Sequence, residues 1–329
     1  RIRLVAEHIG KELGFDNVLP DILRAAMLSK ADLATQMVFE FPELQGIMGR
    51  YYALLSNEKA DVAKAIEEQY MPTSREGELP GSAIGSVISI ADKADTIASC
   101  FTAGLIPTGT SDPYALRRQA IAIINIVIDK NFHLSISALF RAALAAIISQ
   151  TDGKFRDRQD NIFAEITAFV KERFRNLMVS DGFPQDVVDA AVSVEFDDVV
   201  EVKRRIEALA EFRNAPDFES LGVAFKRVVN IVKGQPRSEV RESAFVEPAE
   251  KDLYTSFIET RKKAGAKMSE KNYSESLAIM RTLKEPVDRF FDSVMVMDEN
   301  EELRNNRLSM LWEIRELFFR IADFSKLST

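Results

Sequence analysis

Apolar residues recur every three or four positions along most of this chain, and this helical spacing constrains the fold more than any other feature. One stretch, 82–103, aligns six apolar or small side chains on one helical face: Ile84, Val87, Ile88, Ala91, Ala98 and Phe101. A later stretch, 303–324, does the same with Leu308, Leu311, Ile314, Phe318 and Ile321. We find no convincing set of segments in which polar and apolar residues alternate. The chain is therefore predicted to be all-α, a multi-domain arrangement of helices.

The loop at 107–112 carries the sharpest helix-start signal. Asp112 is predicted to be the N-cap and Pro113 the first helical residue, because the carboxylate accepts from free N–H groups and proline needs no donor there. The helix that follows is apolar nearly all round, so we expect a buried pillar onto which the preceding helices pack. The turn Thr108–Ser111 could cradle a phosphate. It lacks the lysine and the spacing of a P-loop, so a structural turn is favoured.

Two breaks divide the helical pattern. The run at 151–154 is polar, and the stretch 235–248 carries two prolines and little periodicity. Before the second break, Asp217 after Pro216 is expected to cap a helix over 217–233. These breaks predict three domains, over residues 1–150, 151–235 and 236–329.

Charge and cysteine content exclude several classes of protein. The formal net charge of −8 argues against a strongly basic nucleic-acid coat protein, although RNA binding needs only a local basic face. The single cysteine, Cys100, excludes an internal disulfide and a cysteine-rich metal site, which fits a reducing compartment. No apolar run is long enough to span a bilayer. The chain opens with Arg1 and lacks a signal-peptide pattern, so we expect a fragment of a longer protein.

Two short motifs each allow a chemical and a structural interpretation. Gly46-Ile47-Met48-Gly49 matches the GxxG loop of KH domains, but it is embedded in helical sequence, so close packing at the two glycines is favoured. Asp92 and Asp95 are neighbours on one helix face and could form an acid–base pair. Salt bridges and packing are the favoured roles for both carboxylates.

Three segments carry a resemblance to a known family: Phe41–Ala53 (FPELQGIMGRYYA), Pro107–Ala120 (PTGTSDPYALRRQA) and Ala322–Ser325 (ADFS). They resemble the β-subunit family of bacterial heterotetrameric glycyl-tRNA synthetases, and the resemblance covers essentially the whole chain, as the carboxy-terminal half of such a subunit. It implies a component of a cytoplasmic ligase that attaches glycine to tRNA with ATP. It also implies that the partners are glycine tRNA and an α subunit, in an α2β2 heterotetramer without membrane contact. The ATP, magnesium and glycine sites of that family lie on the α subunit, so no cofactor and no catalytic residue are expected in this chain.

The first 150 residues also resemble the helical HD phosphohydrolase domain, whose metal site needs one His, a His-Asp pair and a later Asp. Ser29-Lys30 stands where the His-Asp pair should be, while His8 matches the first ligand and Asp92 the last. Two ligands are missing, and a lysine brings positive charge to the position of the cation. We therefore expect a degenerate HD domain that binds no metal, since the remaining donors are too few for a divalent ion.

The stretch 294–300 followed by 303–308 resembles the DALR anticodon-binding domain of arginyl-tRNA synthetases. Upstream of it, 261–267 places four cations in seven residues, predicted to end a helix over 249–264. Cationic side chains on helices hold RNA through its phosphates. The candidate tRNA contacts are Arg117, Arg118, Lys226, Arg227, Lys233, Arg261, Lys262, Lys263, Lys267, Arg304 and Arg307. The alternative for 261–267 is an ordinary solvated helix terminus, favoured by the helix dipole.

Aromatic residues near these cations are the candidates for stacking on unpaired bases. Tyr273 and Phe245 are possible stacking residues, but burial in the core is favoured for each, and Trp312 is expected in the core. The predicted function is therefore to bind and orient tRNA for a catalytic α subunit. Two alternatives stay open: an active HD-type metal-dependent phosphohydrolase, and a purely structural scaffold that docks the α subunit without touching RNA.

Overall fold

The computed structural model describes residues 1–74, 77–215 and 218–328, and most of these residues are helical. Within those ranges the extended pairing is limited to two isolated bridges, so the all-α prediction is confirmed. Contacts divide the chain into two compact units, residues 1–177 with 197–200 and residues 178–196 with 201–329. None of the described helices is long and apolar enough to cross a bilayer.

The described residues of the first unit form nine α-helices, of which the last runs three residues past residue 177. They are α1 (Ile2–Glu12), α2 (Leu19–Leu28), α3 (Gln36–Glu40), α4 (Ile47–Leu55), α5 (Ala60–Glu68), α6 (Ala83–Thr102), α7 (Leu116–Asp129), α8 (Ile136–Gln150) and α9 (Gln159–Ser180).

Helix α6 is the centre of the first unit. It packs against α1, α2, α5, α7 and α8 and is buried along most of its length. Ser82, the first residue of the predicted span 82–103, caps it by accepting a hydrogen bond from the Gly85 N–H at 2.9 Å. The helix after residue 112 is buried, as predicted, but the preceding helices pack mainly onto α6 and not onto α7.

Helix α7 begins three residues later than predicted. Asp112 does cap it, since its carboxylate accepts from Leu116 N at 2.8 Å and Arg117 N at 3.0 Å. The first helical residue is nevertheless Leu116 and not Pro113, because Ala115 adopts a left-handed conformation with φ +52°. Capping chemistry was therefore predicted from the sequence, whereas the left-handed residue that delays the helix was not.

Gly46 and Gly49 are packing glycines, as predicted. A Cβ at Gly49 would lie 2.7 Å from Ile66 Cγ2, and one at Gly46 would lie 2.6 Å from the ring of Tyr70. Gly46 also has φ +81°, a conformation that costs a residue with a side chain additional strain.

The polar run at 151–154 forms a turn inside the first unit. After this turn α9 packs back on the same unit: the rings of Phe169 and Phe101 are 5.2 Å apart, and the Arg141 guanidinium lies 4.0 Å from the Phe163 ring. Contacts of this kind, and not the polarity of a connecting turn, decide which helices share a core. The division into three domains stays a prediction.

The second unit contains the remaining helices. They are α10 (Gln185–Val192), α11 (Val199–Arg213), α12 (Phe218–Val232), α13 (Pro248–Ser269), α14 (Tyr273–Met280), α15 (Lys284–Ser293) and α16 (Glu301–Phe319). The first two residues of α11 belong to the first unit. Pro216 and Asp217, the predicted start of α12, lie outside the described residues.

The core of the second unit forms around α12, α13 and α16. α12 packs against α16 and α15, while α13 packs against α14 and α15. Phe225 of α12 is 1% exposed, and its ring lies 3.8 Å from that of Phe318 and 6.0 Å from that of Phe324. These packed rings hold α12 against α16, the helices that carry Lys226, Arg227, Arg304 and Arg307.

Candidate nucleic-acid interface

The basic run of the second unit lies inside α13 and not at its end. α13 continues to Ser269, so the helix end predicted at residue 264 is wrong. Ala264 and Met268 are buried and keep the helix packed on the unit beyond Gly265. The helix dipole favours cations only in the last turn of a helix. Most of the run lies before that turn, so the dipole does not explain why cations are placed there.

Surface carboxylates accompany three of the four cations in this run. Arg261 Nη1 lies 2.8 Å from Glu313, Lys263 Nζ 3.4 Å from Glu259, and Lys267 Nζ 3.1 Å from Glu270. Hydrogen bonds from Lys267 to Glu270 and Glu275 raise the pKa of its ammonium. Lys262 is exposed and makes no ion pair with the described residues. Exposed pairs contribute at most about 1 kcal/mol, so a phosphate can displace these carboxylates.

Three further predicted cations lie on or beside α12. The exposed Arg227 places its guanidinium 4.1 Å from the centre of the Phe291 ring, and this cation–π contact restrains the charged group at the surface. Lys226, one residue earlier, is half-buried. Lys233 follows the last residue of α12 and is exposed. Arg227 and Lys233 are thus accessible to a phosphate.

Arg304 and Arg307 lie one turn apart on α16 in different environments. Arg304 is half-buried, and its Nη1 donates to the Asp298 carbonyl at 2.8 Å. The Arg307 side chain is 4% exposed; its Nε donates to Glu250 at 2.7 Å and its Nη1 to the Asp298 carboxylate at 2.8 Å. Arg307 is therefore a buried structural residue and is removed from the predicted tRNA contacts.

The candidate stacking residues also differ from one another. Phe245 is buried, with its ring 5.3 Å from that of Tyr254, which confirms the core assignment. Tyr273 is half-buried, and its hydroxyl donates to Glu201 at 2.6 Å. Trp312 is half-buried and not fully in the core, with the Arg315 guanidinium 4.7 Å from its ring.

The two candidate arginines of the first unit follow the cap of α7. Arg117 Nη2 donates to the Gly109 carbonyl at 2.8 Å, so this side chain closes the turn at 108–111. That bond supports the structural interpretation of the turn, because a cation already holds it. Arg118 is exposed and lines a cleft of about 170 Å³ with Pro72 and Asn125.

Lys30 and Asp92, the residues that correspond to the degenerate HD metal site, form a direct ion pair. Lys30 Nζ lies 2.7 Å from Asp92 Oδ2 and 5.0 Å from the centre of the Tyr70 ring. Ser29 is buried, and its hydroxyl donates to the Ala26 carbonyl at 2.9 Å. The lysine ammonium thus already neutralises the one carboxylate of this group that the HD resemblance assigns to a metal.

Lys93, beside this pair, is a buried lysine that the sequence did not single out. It is 7% exposed, and its ammonium donates to the carbonyls of Gln69 and Met71 and to the Ser89 hydroxyl. Burial lowers its pKa to about 8, which the Asp92 carboxylate partly opposes.

The lowered pKa of Lys93 predicts a rise in stability with pH. Between about pH 8 and pH 10.5, Lys93 is protonated in the unfolded chain and neutral in the folded chain, so the free energy of unfolding increases as the pH rises. From pH 7.5 to 9.5 the contribution is about 2 kcal/mol. Urea unfolding of the wild type and of Lys93→Met at both pH values measures it. An equal change with pH in the two proteins would contradict the assignment.

Each of the two histidines lies beside a carboxylate, and only one of these two contacts could be predicted from the sequence. His8 Nε2 lies 3.1 Å from Glu12 on its own helix. His133 Nδ1 lies 2.7 Å from Asp198, which is 65 residues away in the chain. No local spacing connects two residues so far apart, so this pair was missed.

Two family models match this sequence. One, described as glycyl-tRNA synthetase beta subunit, matches residues 1–193, which is more than half of the chain. The other, described as DALR anticodon binding domain, matches residues 222–322. The second match begins within α12 and ends after α16, so it contains α13 and its basic run.

Bacterial proteins named glycine–tRNA ligase beta subunit are similar to the whole chain. That of Geotalea uraniireducens is 50% identical over 329 residues, which cover 100% of this chain and 47% of the relative. Those of Geotalea daltonii and Citrifermentans bemidjiense are 48% and 47% identical over the same shares. The chain spans about half the length of these curated relatives.

Proposed function

Because the chain belongs to the glycyl-tRNA synthetase beta-subunit family, we propose that it is the part of a glycine–tRNA ligase that binds glycine tRNA and orients it for a catalytic alpha subunit. The observation that carries this proposal is the exposed cationic surface of the second unit. Lys262, Arg227 and Lys233 are accessible there, within the range matched by the anticodon-binding model.

The mechanism is positioning. Cations hold the tRNA through its phosphates. Arg261 and Lys263 are only weakly paired with surface carboxylates, so each can release its carboxylate and bind a phosphate in its place. The second unit grips the anticodon arm, and the first unit supports the tRNA body. In this proposal ATP and magnesium act on the alpha subunit of a cytoplasmic α2β2 assembly, and this chain contributes affinity and orientation.

Replacing Arg261, Lys262 and Lys263 together with alanine tests this function. We expect the affinity for glycine tRNA to fall about 10- to 100-fold and the salt dependence to weaken by about two released counterions. Filter binding over a salt series measures both quantities. A matched control replaces Arg241, Lys251 and Arg289, three exposed cations of the same unit, and should change affinity less than about threefold. Unchanged affinity and salt slope in the first variant would contradict the proposal.

A scaffold that docks a protein subunit is supported by a separate observation. Eight large apolar side chains between residues 27 and 55 are exposed: Met27, Leu33, Met37, Phe39, Phe41, Tyr51, Leu54 and Leu55. A concentration of exposed apolar side chains in one segment is what a protein–protein contact surface requires. Phe39→Ser with Leu55→Ser should weaken co-elution with a glycyl-tRNA synthetase alpha subunit and leave tRNA affinity unchanged. Loss of tRNA affinity alone would argue against the scaffold role.

A metal-dependent phosphohydrolase has less support. Lys30 places an ammonium 2.7 Å from Asp92, where that chemistry would need a divalent cation. Calorimetric titration with Mn²⁺, together with a phosphatase assay, tests this alternative directly, and tight binding with turnover would revive it.

A further inference from the structure

The second unit contains an open cleft of about 530 Å³, a volume typical of small-ligand sites. It lies among the turn after α13, the end of α16 and the residues after α10. Val194, Met268 and Phe319 give it an apolar part, and charged side chains of both signs complete the lining.

Tyr273 forms a fixed aromatic wall of this cleft. Its hydroxyl donates to Glu201, a 7%-exposed carboxylate that also lies 3.2 Å from Lys271 Nζ. Burial and this hydrogen bond raise the pKa of Tyr273 above its usual range, so the ring stays a neutral phenol. A ring anchored at its hydroxyl offers a stacking surface that costs little entropy when a ligand binds.

Two lining groups of opposite charge are uncommitted. The Arg320 guanidinium and the Glu195 carboxylate make no hydrogen bond or ion pair with the part of the chain that the structure describes. Among the described residues, Glu316, the second carboxylate, pairs with its half-buried neighbour Arg315. The cleft therefore has free donors and acceptors beside its rings.

The cleft adjoins the basic run of α13. A Cβ at Gly265, inside that run, would lie 3.7 Å from Arg320 Nη1. An RNA strand held by Arg261–Lys267 can therefore reach Arg320 without leaving the protein surface.

We propose that this cleft binds one unpaired nucleotide of an RNA, with its base beside Tyr273 and Phe319 and its phosphate at Arg320 and Lys271. The proposal rests on the proposed function and names a subsite for it. Glu195 and Glu316 accept hydrogen bonds from base amino groups, as carboxylates do with cytosine N4. Uracil has no amino group: its only edge donor, N3–H, lies between two carbonyl oxygens, which repel the carboxylates of Glu195 and Glu316. The cleft consequently prefers cytosine, adenine or guanine over uracil.

Fluorescence anisotropy of the full chain with labelled cytidine and uridine hexanucleotides, and with glycine tRNA, tests the subsite. The wild type should bind the cytidine oligomer about tenfold tighter than the uridine oligomer. Glu195→Gln with Glu316→Gln should reduce that preference to less than about twofold. Lys271→Asn, which tolerates the left-handed backbone at φ +59°, and Arg320→Ala should weaken both oligomers alike. Glu299→Gln, an exposed carboxylate outside the cleft, is the matched control.

Three results would overturn the subsite: equal binding of the two oligomers, a preference that survives the double variant, or no binding of either at about 1 mM. If the wild type binds glycine tRNA while the cleft variants change nothing, only the subsite is wrong. If the wild type does not bind glycine tRNA, the proposed function is wrong. A cytidine preference that depends on the cleft would then remain as a separate RNA-binding property.

Discussion

Replacing Arg307 with alanine is expected to lower the free energy of unfolding by about 3–5 kcal/mol. The side chains of Arg307 and Glu250 are 4% and 1% exposed, and their 2.7 Å contact offsets part of the cost of burying both charges. Alanine leaves Glu250 Oε1 as a buried carboxylate oxygen without its cation. Equilibrium unfolding in urea, followed by circular dichroism, measures the loss.

Two variants separate this effect from the loss of any surface charge. Arg289 is exposed and lies 3.0 Å from Glu285. Replacing it with alanine should lower the free energy of unfolding by less than about 0.5 kcal/mol. Adding Glu250→Gln to Arg307→Met should recover about 1–2 kcal/mol, because the remaining buried group is neutral. An Arg307→Ala loss as small as that of Arg289→Ala would show that the pair is not effectively buried.

Phe225→Ala is expected to cost about 3–5 kcal/mol through the cavity it leaves. Phe225 is 1% exposed and its ring packs 3.8 Å from that of Phe318. Since α12 also carries Lys226 and Arg227, tRNA affinity should fall as the helix loosens. Urea unfolding and filter binding measure the two effects.

Val223 gives the matched control on the same helix. It is 58% exposed, so Val223→Ala should change the free energy of unfolding by less than about 0.5 kcal/mol. If Phe225→Ala cost no more than Val223→Ala, the aromatic cluster would not be what holds α12 in place.

The candidate interface could be predicted only in part. Lys262 and Lys233 were found from charge clustering alone, and both side chains are exposed. Arg304 and Arg307 were assigned together from one motif, yet Arg307 is buried. Its partner Glu250 is 57 residues away, a separation at which no helical spacing carries information. Arg320 and Glu195 were missed for a different reason: neither lies in a charged run, the signal from which the candidate cations were chosen.

Helical periodicity depends on neighbours three and four residues apart, so the sequence alone determined the all-α class and the span of α6. The capping role of Asp112 was likewise predicted from local sequence. Which helix is central depends on how apolar faces meet across the unit, and the tertiary structure assigned that place to α6. The fate of each charged side chain was likewise decided only by folding. A cation becomes part of a buried pair when folding brings a carboxylate from a distant segment beside it, as happens at Arg307. A cation that meets no such carboxylate stays available to RNA, as at Lys262.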